Sequence, residues 1–320
     1  MLMAYRKDAA GLAGLGGADL SLAGADWIDL CQPTPEEAAA VQALGVDVPT
    51  LEDMEEIEIS SRLYRENGTD YITVVLPGHT EAGEHISAPV CFVLTSRRIV
   101  TVRHHTPRPF KTYPTRADKV APGCDTPDKI FLSLLEEITG RLADHLEGSG
   151  RMLDGLARNA YGEGRRSGVD ELREALRLVG HEGEMIARVR LALLTLERAL
   201  SFFGQTVNDR IAGEGLRPVV KGLARDIQAL EVHADFLSAR VAQGTDATLG
   251  MINLDQNQTI KIVSVVAAVF LPPTLIASVY GMNFAVMPEL GWRWGYPLAL
   301  GLMLASAVGT FLFFKWKRWL

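Results

Sequence analysis

The chain has 320 residues, 48% of them hydrophobic and 22% charged, and its formal net charge is −7 at pH 7. Five basic residues and one acid follow residue 260, a net of +4, which leaves −11 for residues 1–260. The acidic larger part excludes the basic face that a nucleic-acid-binding protein needs, so no nucleic-acid partner is expected. Three cysteines without a CxxC spacing or a Cys/His cluster indicate idle thiols in a reducing compartment.

Residues 1–125 are predicted to form a cytosolic α/β domain. DYITVVL at 70–76 and APVCFVLTSRRIVTVRHH at 88–105 are rich in β-branched and aromatic residues, which predicts strands. The TSRR inside the second segment indicates a hairpin turn. These strands, together with the predicted helix described next, indicate an α/β sandwich.

A helix is predicted in TPEEAAAVQALG, residues 34–45. Thr34 is placed to act as the N-cap, and Pro35 occupies the first helical position, where its missing N–H costs nothing. Gly45 is expected to stop the helix.

From residue 126 onward the patterns are helical. A long helical hairpin is predicted over 126–217, with a break at GEGRRSG. A third helix starts at Pro218, where apolar residues recur at spacings of four and three, a narrow stripe typical of helix-to-helix packing. The stripe consists of Leu223, Ile227, Leu230, Ala234, Leu237 and Val241. Because no strong helix breaker follows, we expect a stalk helix over 218–260 that packs on copies of itself.

Two uncharged stretches, 262–288 and 294–314, each reach the roughly 20 residues that a bilayer-spanning helix needs. Lys261 and the tail KWKRWL are basic and the connection between the spans holds only Arg293, so both termini are expected in the cytosol. No signal peptide is expected, and the chain is predicted to lie in the inner (cytoplasmic) membrane. The predicted parts are a first transmembrane helix at 261–283, an outer loop at 284–293, a second transmembrane helix at 294–314 and a basic tail at 315–320.

The approach to the first span carries polar residues at spacings close to whole helical turns: Asp246, Asn253, Asn257, Ser264, Thr274 and Ser278. Polar groups in a bilayer are costly unless they face a partner or water, so such a face, repeated by symmetry, would line an aqueous path. The alternative for the hydroxyl residues is a bond to their own backbone four residues earlier, and for Thr274 both interpretations stay open.

The motif Tyr280-Gly281-Met282-Asn283-Phe284, followed by Met287-Pro288-Glu289-Leu290, ends the first span. In this position it closely resembles the CorA family of magnesium transporters. The resemblance implies a funnel-shaped homopentamer: an α/β cytosolic domain, a long helical hairpin, a stalk helix and two C-terminal transmembrane helices, with the first spans lining a central pore. It also implies uptake of Mg²⁺, and of Co²⁺ or Ni²⁺, driven by the membrane potential.

The resemblance implies a role for individual positions. Gly281, Met282 and Asn283 would form the selectivity filter, with a ring of Asn283 amides holding a hydrated Mg²⁺ ion. The pore would further be lined by Thr274, Asn257 and Asp246, and by the apolar gate residues Leu271 and Val263, the latter smaller than the family's usual methionine or leucine.

Ion chemistry supports this filter independently. Mg²⁺ dehydrates reluctantly, so amide oxygens that contact its water shell suit it better than a cage of side chains. Gly281 is expected to allow a tight backbone turn at the filter. Glu289 in the outer loop is expected to concentrate cations at the outer mouth, against the alternative of an ordinary solvated glutamate.

Regulation by Mg²⁺ bound between cytosolic domains is also implied by the resemblance. Asp226, Glu231 and Asp235 on the stalk are candidate ligands, because clustered carboxylates repel one another unless a cation bridges them; the alternative for each is a solvated face. No GxxxxGK[ST] loop occurs, so no nucleotide cofactor is expected.

Two histidine pairs, His79 with His85 and His104 with His105, lack a third ligand at a standard spacing, which argues against a zinc site. Two further functions stay open. One is a zinc transporter of the related subgroup, which generally departs from Gly-Met-Asn. The other is a cytosolic signalling module anchored by two spans. No nucleophile elbow or other catalytic motif occurs, and the chain is not expected to be an enzyme.

Overall fold

The chain is described here from a computed structural model. The described residues are 1–8, 11–15, 22–56, 58, 62–80, 82–120, 122–161, 168–206, 215–282, 287–317 and 319. They fall into two compact units. The first consists of Met1–Glu163 with Leu176–Gly244, and the second of Gly164–Ala175 with Thr245–Leu320.

The first unit contains a seven-stranded sheet. Its strands are β1 (Leu2–Asp8), β2 (Gly11–Leu15), β3 (Trp27–Cys31), β4 (Leu63–Glu66), β5 (Thr69–His79), β6 (His85–Leu94) and β7 (Ile99–Arg103). Their order is β2-β1-β3-β7-β6-β5-β4, antiparallel throughout except for the parallel pair β3 and β7. The predicted hairpin turn joins β6 to β7, where the Thr95 hydroxyl accepts hydrogen bonds from the backbone N–H groups of Arg97 and Arg98.

The described helices are α1 (Pro35–Gln42), α2 (Leu51–Glu55), α3 (Pro109–Thr112), α4 (Pro127–Tyr161), α5 (Val169–Thr206), α6 (Arg217–Tyr280) and α7 (Gly295–Trp316). Helix α1 has the predicted cap: the Thr34 hydroxyl accepts from the Glu37 N–H, and the Glu37 carboxylate accepts from the Thr34 N–H. The predicted stop is also confirmed, because Gly45 adopts φ +78°, a backbone conformation that favours glycine.

Both faces of the sheet are covered, which confirms the α/β class. On one face, Ile28 and Val100 belong to a core cluster with Val41 of α1 and Met54 of α2. On the other face, Phe92 contacts Phe131 of α4 with ring centroids 5.3 Å apart. That second cluster extends through α4, α5 and the first third of α6.

The apolar stripe at the start of α6 belongs to this same core. Leu223, Ile227, Ala234 and Leu237 are buried in the cluster that holds α4 and α5. The expectation that this stripe packs on copies of the chain is therefore wrong for residues 223–241, because α4 and α5 provide the apolar partner within one chain.

Polar contacts define how α4, α5 and α6 run. Gln228 of α6 donates to Glu197 of α5 at 3.3 Å, and farther along α6 Asp235 pairs with Arg190 at 3.2 Å, so α5 and α6 are antiparallel. Small residues allow a close approach: a Cβ on Gly183 would lie 3.1 Å from a methyl group of Val241. The predicted antiparallel hairpin is thus completed by a third helix.

A buried ion pair lies between the parallel strands β3 and β7. Arg103 donates to both carboxylate oxygens of Asp29, at 2.8 Å from Nη2 to Oδ2, and both side chains are essentially inaccessible to water. Thr101 donates to Asp29 at 2.7 Å and accepts from the Trp27 indole N–H at 3.1 Å. The remaining guanidinium nitrogen of Arg103, Nη1, donates to the backbone carbonyl of His105. Such a pair tolerates burial only while its hydrogen bonds are satisfied.

Replacing Asp29 by alanine should destabilise the first unit strongly, since it leaves the Arg103 guanidinium buried without its carboxylate. We expect a loss of about 3–5 kcal/mol in the free energy of unfolding and a fall of roughly 6–20 °C in the unfolding midpoint. The measurement is thermal unfolding of the detergent-solubilised protein by circular dichroism. Glu147→Ala, which removes an exposed pair with Arg151, is the control and should stay close to wild type. Equal shifts for both variants would contradict the role assigned to the pair.

Candidate functional site

The second unit contains two long apolar helices whose apolar surface the chain itself leaves uncovered. In α6 and in α7, only 6% of the residues in an apolar 18-residue stretch are buried. Leu271 and Leu304 are each 68% exposed, and Phe270 is 67% exposed. Apolar area of this extent requires lipid or further protein chains to cover it.

Each of these helices nevertheless has one shielded face. On α6, Val265 is 3% exposed, and the half-buried positions that follow recur at helical spacing toward Tyr280. On α7, Gly295 and Ala299 are buried, and Ser306 and Thr310 continue the same face. Toward the end of α6 the side opposite Val265 is therefore the open side, whereas residues 256–264 are exposed all round the helix.

The predicted pore-lining residues all lie on α6, away from the direction of its shielded face. Asp246, Asn257, Val263, Leu271 and Thr274 are all exposed within the chain. At 3.6 residues per turn, Asp246, Asn257 and Leu271 fall within about 40° of one another around the helix axis. Thr274 and Val263 lie about 80–100° farther round the helix. The structure thus brings three of the five onto one line and places the other two beside it.

Thr274 makes the bond to its own helix backbone that the sequence analysis gave as the alternative to a pore-lining role. Its hydroxyl donates to the backbone carbonyl of Phe270, four residues earlier. This bond satisfies the hydroxyl proton and leaves the oxygen lone pairs available to an acceptor-seeking partner such as a hydrated cation. Pro272 and Pro273 lie inside the same helix, which remains continuous through them.

The end of α6 leads into the predicted selectivity filter. Gly281 donates to the Ala277 carbonyl at 2.9 Å, and Met282 is 47% exposed. Asn283 lies outside the described residues, as does Phe284.

Gly281 lies in the turn at which α6 ends. Positive φ values occur at six glycines among the described residues, and Gly281 is not one of them. Instead, space is limited, because a Cβ there would lie 3.1 Å from the Ala277 carbonyl oxygen. Farther on, Glu289 lies in a 3₁₀ turn over Pro288–Gly291.

Two of the predicted regulatory acids lie together. Burial, followed by the negative charges of Glu197 and Asp235, raises the pKa of the Glu231 carboxyl, and Arg190 opposes this. Glu231 Oε1 is buried and has no hydrogen-bond partner in the described part of the chain. Asp235 forms an ion pair with Arg190. The structure thus concentrates negative charge here, with one arginine partly offsetting it.

The third predicted acid lies elsewhere. Asp226 is close to Glu136 of α4: burial, then Asp226 and Glu137, raises the pKa of the Glu136 carboxyl. Within one chain the three stalk acids therefore do not form a single cluster. No group of three or more potential metal ligands occurs among the residues that the structure describes. The sequence offered no signal for Glu136 or Glu197, since both come from other helices.

Comparison with known proteins gives a consistent result. The family model described as CorA-like Mg²⁺ transporter protein matches residues 23–318. A magnesium transport protein CorA from Salmonella typhimurium is 36% identical over 302 residues, covering 94% of this chain and 93% of the relative. One from Pectobacterium atrosepticum is 34% identical over 323 residues and covers 100% of both.

Solved structures show the same fold. The complete structure of the CorA magnesium transporter from Methanocaldococcus jannaschii matches with a TM-score of 0.75 at 18% identity, covering 100% of this chain and 99% of that one. The cytoplasmic domain of ZntB from Vibrio parahaemolyticus matches with a TM-score of 0.54 at 11% identity, covering 79% of this chain and 98% of that one.

The family model spans nearly the whole sequence, and relatives at 34–36% identity match over more than nine-tenths of it. The chain belongs to the CorA family of Mg²⁺ transporters.

Proposed function

We propose that this chain assembles as a homopentameric channel in the inner (cytoplasmic) membrane and conducts Mg²⁺ into the cell, with Co²⁺ or Ni²⁺ as further permeant ions. Both termini lie in the cytosol. The observation that carries the proposal is the open side of α6, where Asp246, Asn257 and Thr274 are exposed on a helix that is otherwise apolar toward its C-terminal end. A symmetric ring of such helices provides a polar conduit inside an apolar wall.

The driving force needs no nucleotide. A divalent cation that enters through a potential of roughly 100 mV gains about 4.6 kcal/mol, at ~2.3 kcal/mol per charge. Exposed Leu271 and Val263 provide apolar constrictions that close such a conduit when neighbouring copies approach. Asn283 provides the amide ring that selects a hydrated ion, with Gly281 and Met282 holding its backbone and Glu289 raising the cation concentration at the mouth.

Replacing Asn283 by alanine should abolish Mg²⁺ uptake, since the filter loses its amide oxygens. The measurement is the signal of a magnesium-sensitive dye in proteoliposomes with an inside-negative potential. Thr310→Ala, on the shielded face of α7, is the control and should conduct like wild type. Equal uptake by the Asn283 variant would refute the filter. Zinc transport under a proton gradient, without Mg²⁺ transport, would establish the zinc-transporter alternative.

Leu271→Ala should raise Mg²⁺ flux several-fold when the lumen already holds millimolar Mg²⁺, because a smaller side chain widens the apolar constriction. Leu304→Ala is a matched control, since both leucines are 68% exposed within the chain. It removes the same methyl groups from the other span and should leave the flux unchanged. A closed channel in the Leu271 variant would exclude that residue as a gate.

Mg²⁺ also regulates opening in this proposal, by binding near Glu231 and Asp235 at the contact between cytosolic units of neighbouring chains. Support comes from the raised pKa of Glu231 and its unpartnered oxygen, since a cation would relieve both. Asp226 is a candidate for a second such contact.

Millimolar Mg²⁺ should therefore slow tryptic cleavage of the full-length protein in detergent. Glu231→Gln should raise the Mg²⁺ concentration needed for protection, because one carboxylate is lost. Glu147→Gln, an exposed site on α4, should behave like wild type. Identical digestion of the wild type with and without Mg²⁺ would refute regulation by this route.

A further inference from the structure

A cleft in the first unit is lined by none of the proposed pore, filter or regulatory residues. It has a volume of about 100 Å³ and is lined by the ends of β5 and β6, the segment before α3, and helices α4 and α5. Its inner wall is apolar, with Leu76, Ile138 and Leu142 all at most 2% exposed. The space is enough for several water molecules or one small polyatomic ion.

The charged and titratable groups that line the cleft are all basic. They are His79, His85, Arg108, Arg141 and His145. Among the residues that the structure describes, no carboxylate lines this space. A concave site lined by guanidinium and imidazole groups, with an apolar floor, favours anions over cations, and more strongly when the imidazoles are protonated.

The fold brings these groups together from distant parts of the sequence. His79 and His85 are register partners on β5 and β6, with ring centroids 4.3 Å apart. His145 comes from α4, and its pKa responds to the charges of both. Imidazoles whose charges act on one another in this way are destabilised when they are protonated together, unless an anion joins them.

Arg141 provides a second, independent indication of a ligand. Its Nη1 donates to Asp144 at 3.2 Å, yet its Nε is buried without any hydrogen-bond partner in the described part of the chain. A buried donor without an acceptor costs free energy, and most such groups in folded proteins are satisfied. An oxyanion in the cleft would supply the missing acceptor and a charge-assisted hydrogen bond.

We propose that this cleft binds a small oxyanion, of the sulfate or phosphate class, between the three histidines of the β5–β6 end and α4 and the guanidinium of Arg141. The proposal does not depend on the transport function. It gives the cytosolic unit a ligand opposite in charge to the transported cation, and since His85 and His145 become positively charged only when protonated, it makes anion binding dependent on pH.

The surrounding charges determine the direction of that dependence. Burial, followed by the positive charge of Arg141, lowers the pKa of His145, while Asp144 raises it. Burial, followed by His79, Arg188 and His181, lowers the pKa of His85. The remaining charged groups around the site are Arg108 and, on α5, Glu184, which is paired with Arg188.

Folding and binding are therefore linked through protons. Because the pKa values of His85 and His145 are lower in the folded chain than the unperturbed value of about 6.5, the unfolded state binds more protons as the pH falls. The stability they contribute is complete above about pH 6.5 and is lost as the pH falls below it toward the lowered values. A bound dianion raises these pKa values, so it should oppose the loss.

The test is the unfolding midpoint of the full-length protein in detergent, titrated with sodium sulfate at pH 7.5 and pH 5.5 at constant ionic strength maintained with sodium chloride. Sulfate is the probe because its charge does not change over this range. We expect sulfate to raise the unfolding midpoint in a saturable way. Its affinity should increase about tenfold for each unit by which the pH is lowered, for each proton taken up on binding.

Variants locate the site. His145→Gln and Arg141→Gln should each remove most of the saturable shift. His233→Gln, a half-buried histidine that stacks on Phe236, and Arg151→Gln, elsewhere on α4, are the matched controls and should keep it. If Arg141→Gln does not fold, His145→Gln still decides the question. An unchanged saturable shift in His145→Gln, a shift independent of pH, or no saturable shift in the wild type would each overturn the proposal.

Discussion

Burial of both faces of the central sheet is the constraint on which the rest of the first unit depends. Strands β3 and β7 and the last six residues of β6 are almost wholly inaccessible, so every side chain there needs a partner from one layer or the other. One face of the sheet is covered by two short helices, α1 and α2, and the other face by the long helices α4, α5 and α6. Because α6 continues beyond this packing into the apolar stretch, the packing that stabilises the sheet also holds the first third of α6.

Much of this architecture follows from local chemistry in the sequence. The Thr34 cap, the Gly45 stop and the turn at Thr95 each depend on residues within a few positions of one another, and all three were predicted. Strands β1 to β4 were not predicted. They are short, and β3 pairs in parallel with β7, some 70 residues away, so pairing rather than intrinsic propensity defines them. The α6 stripe was identified correctly as a packing surface, yet periodicity alone does not identify the partner, and α4 and α5 proved to be nearer than another copy.

The candidate site divides in the same way. Its motif is contiguous, from Tyr280 to Leu290, and needs no fold to be recognised. The polar positions below it follow from helical spacing; Asp246, Asn257 and Thr274 are all exposed on α6, with Thr274 about 80–100° round the helix from the other two. The sequence could not predict which acids and histidines lie near one another in space. Glu197 lies near Glu231, and His145 near His85, only because α4 and α5 pack on the sheet and on α6.

The two prolines in α6 have a mechanical consequence. Pro272 and Pro273 have no N–H to donate, so the carbonyls of Ala268 and Val269 lose their partners in the helical ladder. The backbone hydrogen bonds give a helix its bending stiffness. A 64-residue helix that lacks two adjacent backbone hydrogen bonds therefore bends most easily where they are absent. Thermal flexing of α6 is therefore concentrated around residue 271. Displacing the Leu271 side chain sideways therefore costs less free energy than displacing a side chain on a turn that keeps all its hydrogen bonds. This turn can act as a hinge.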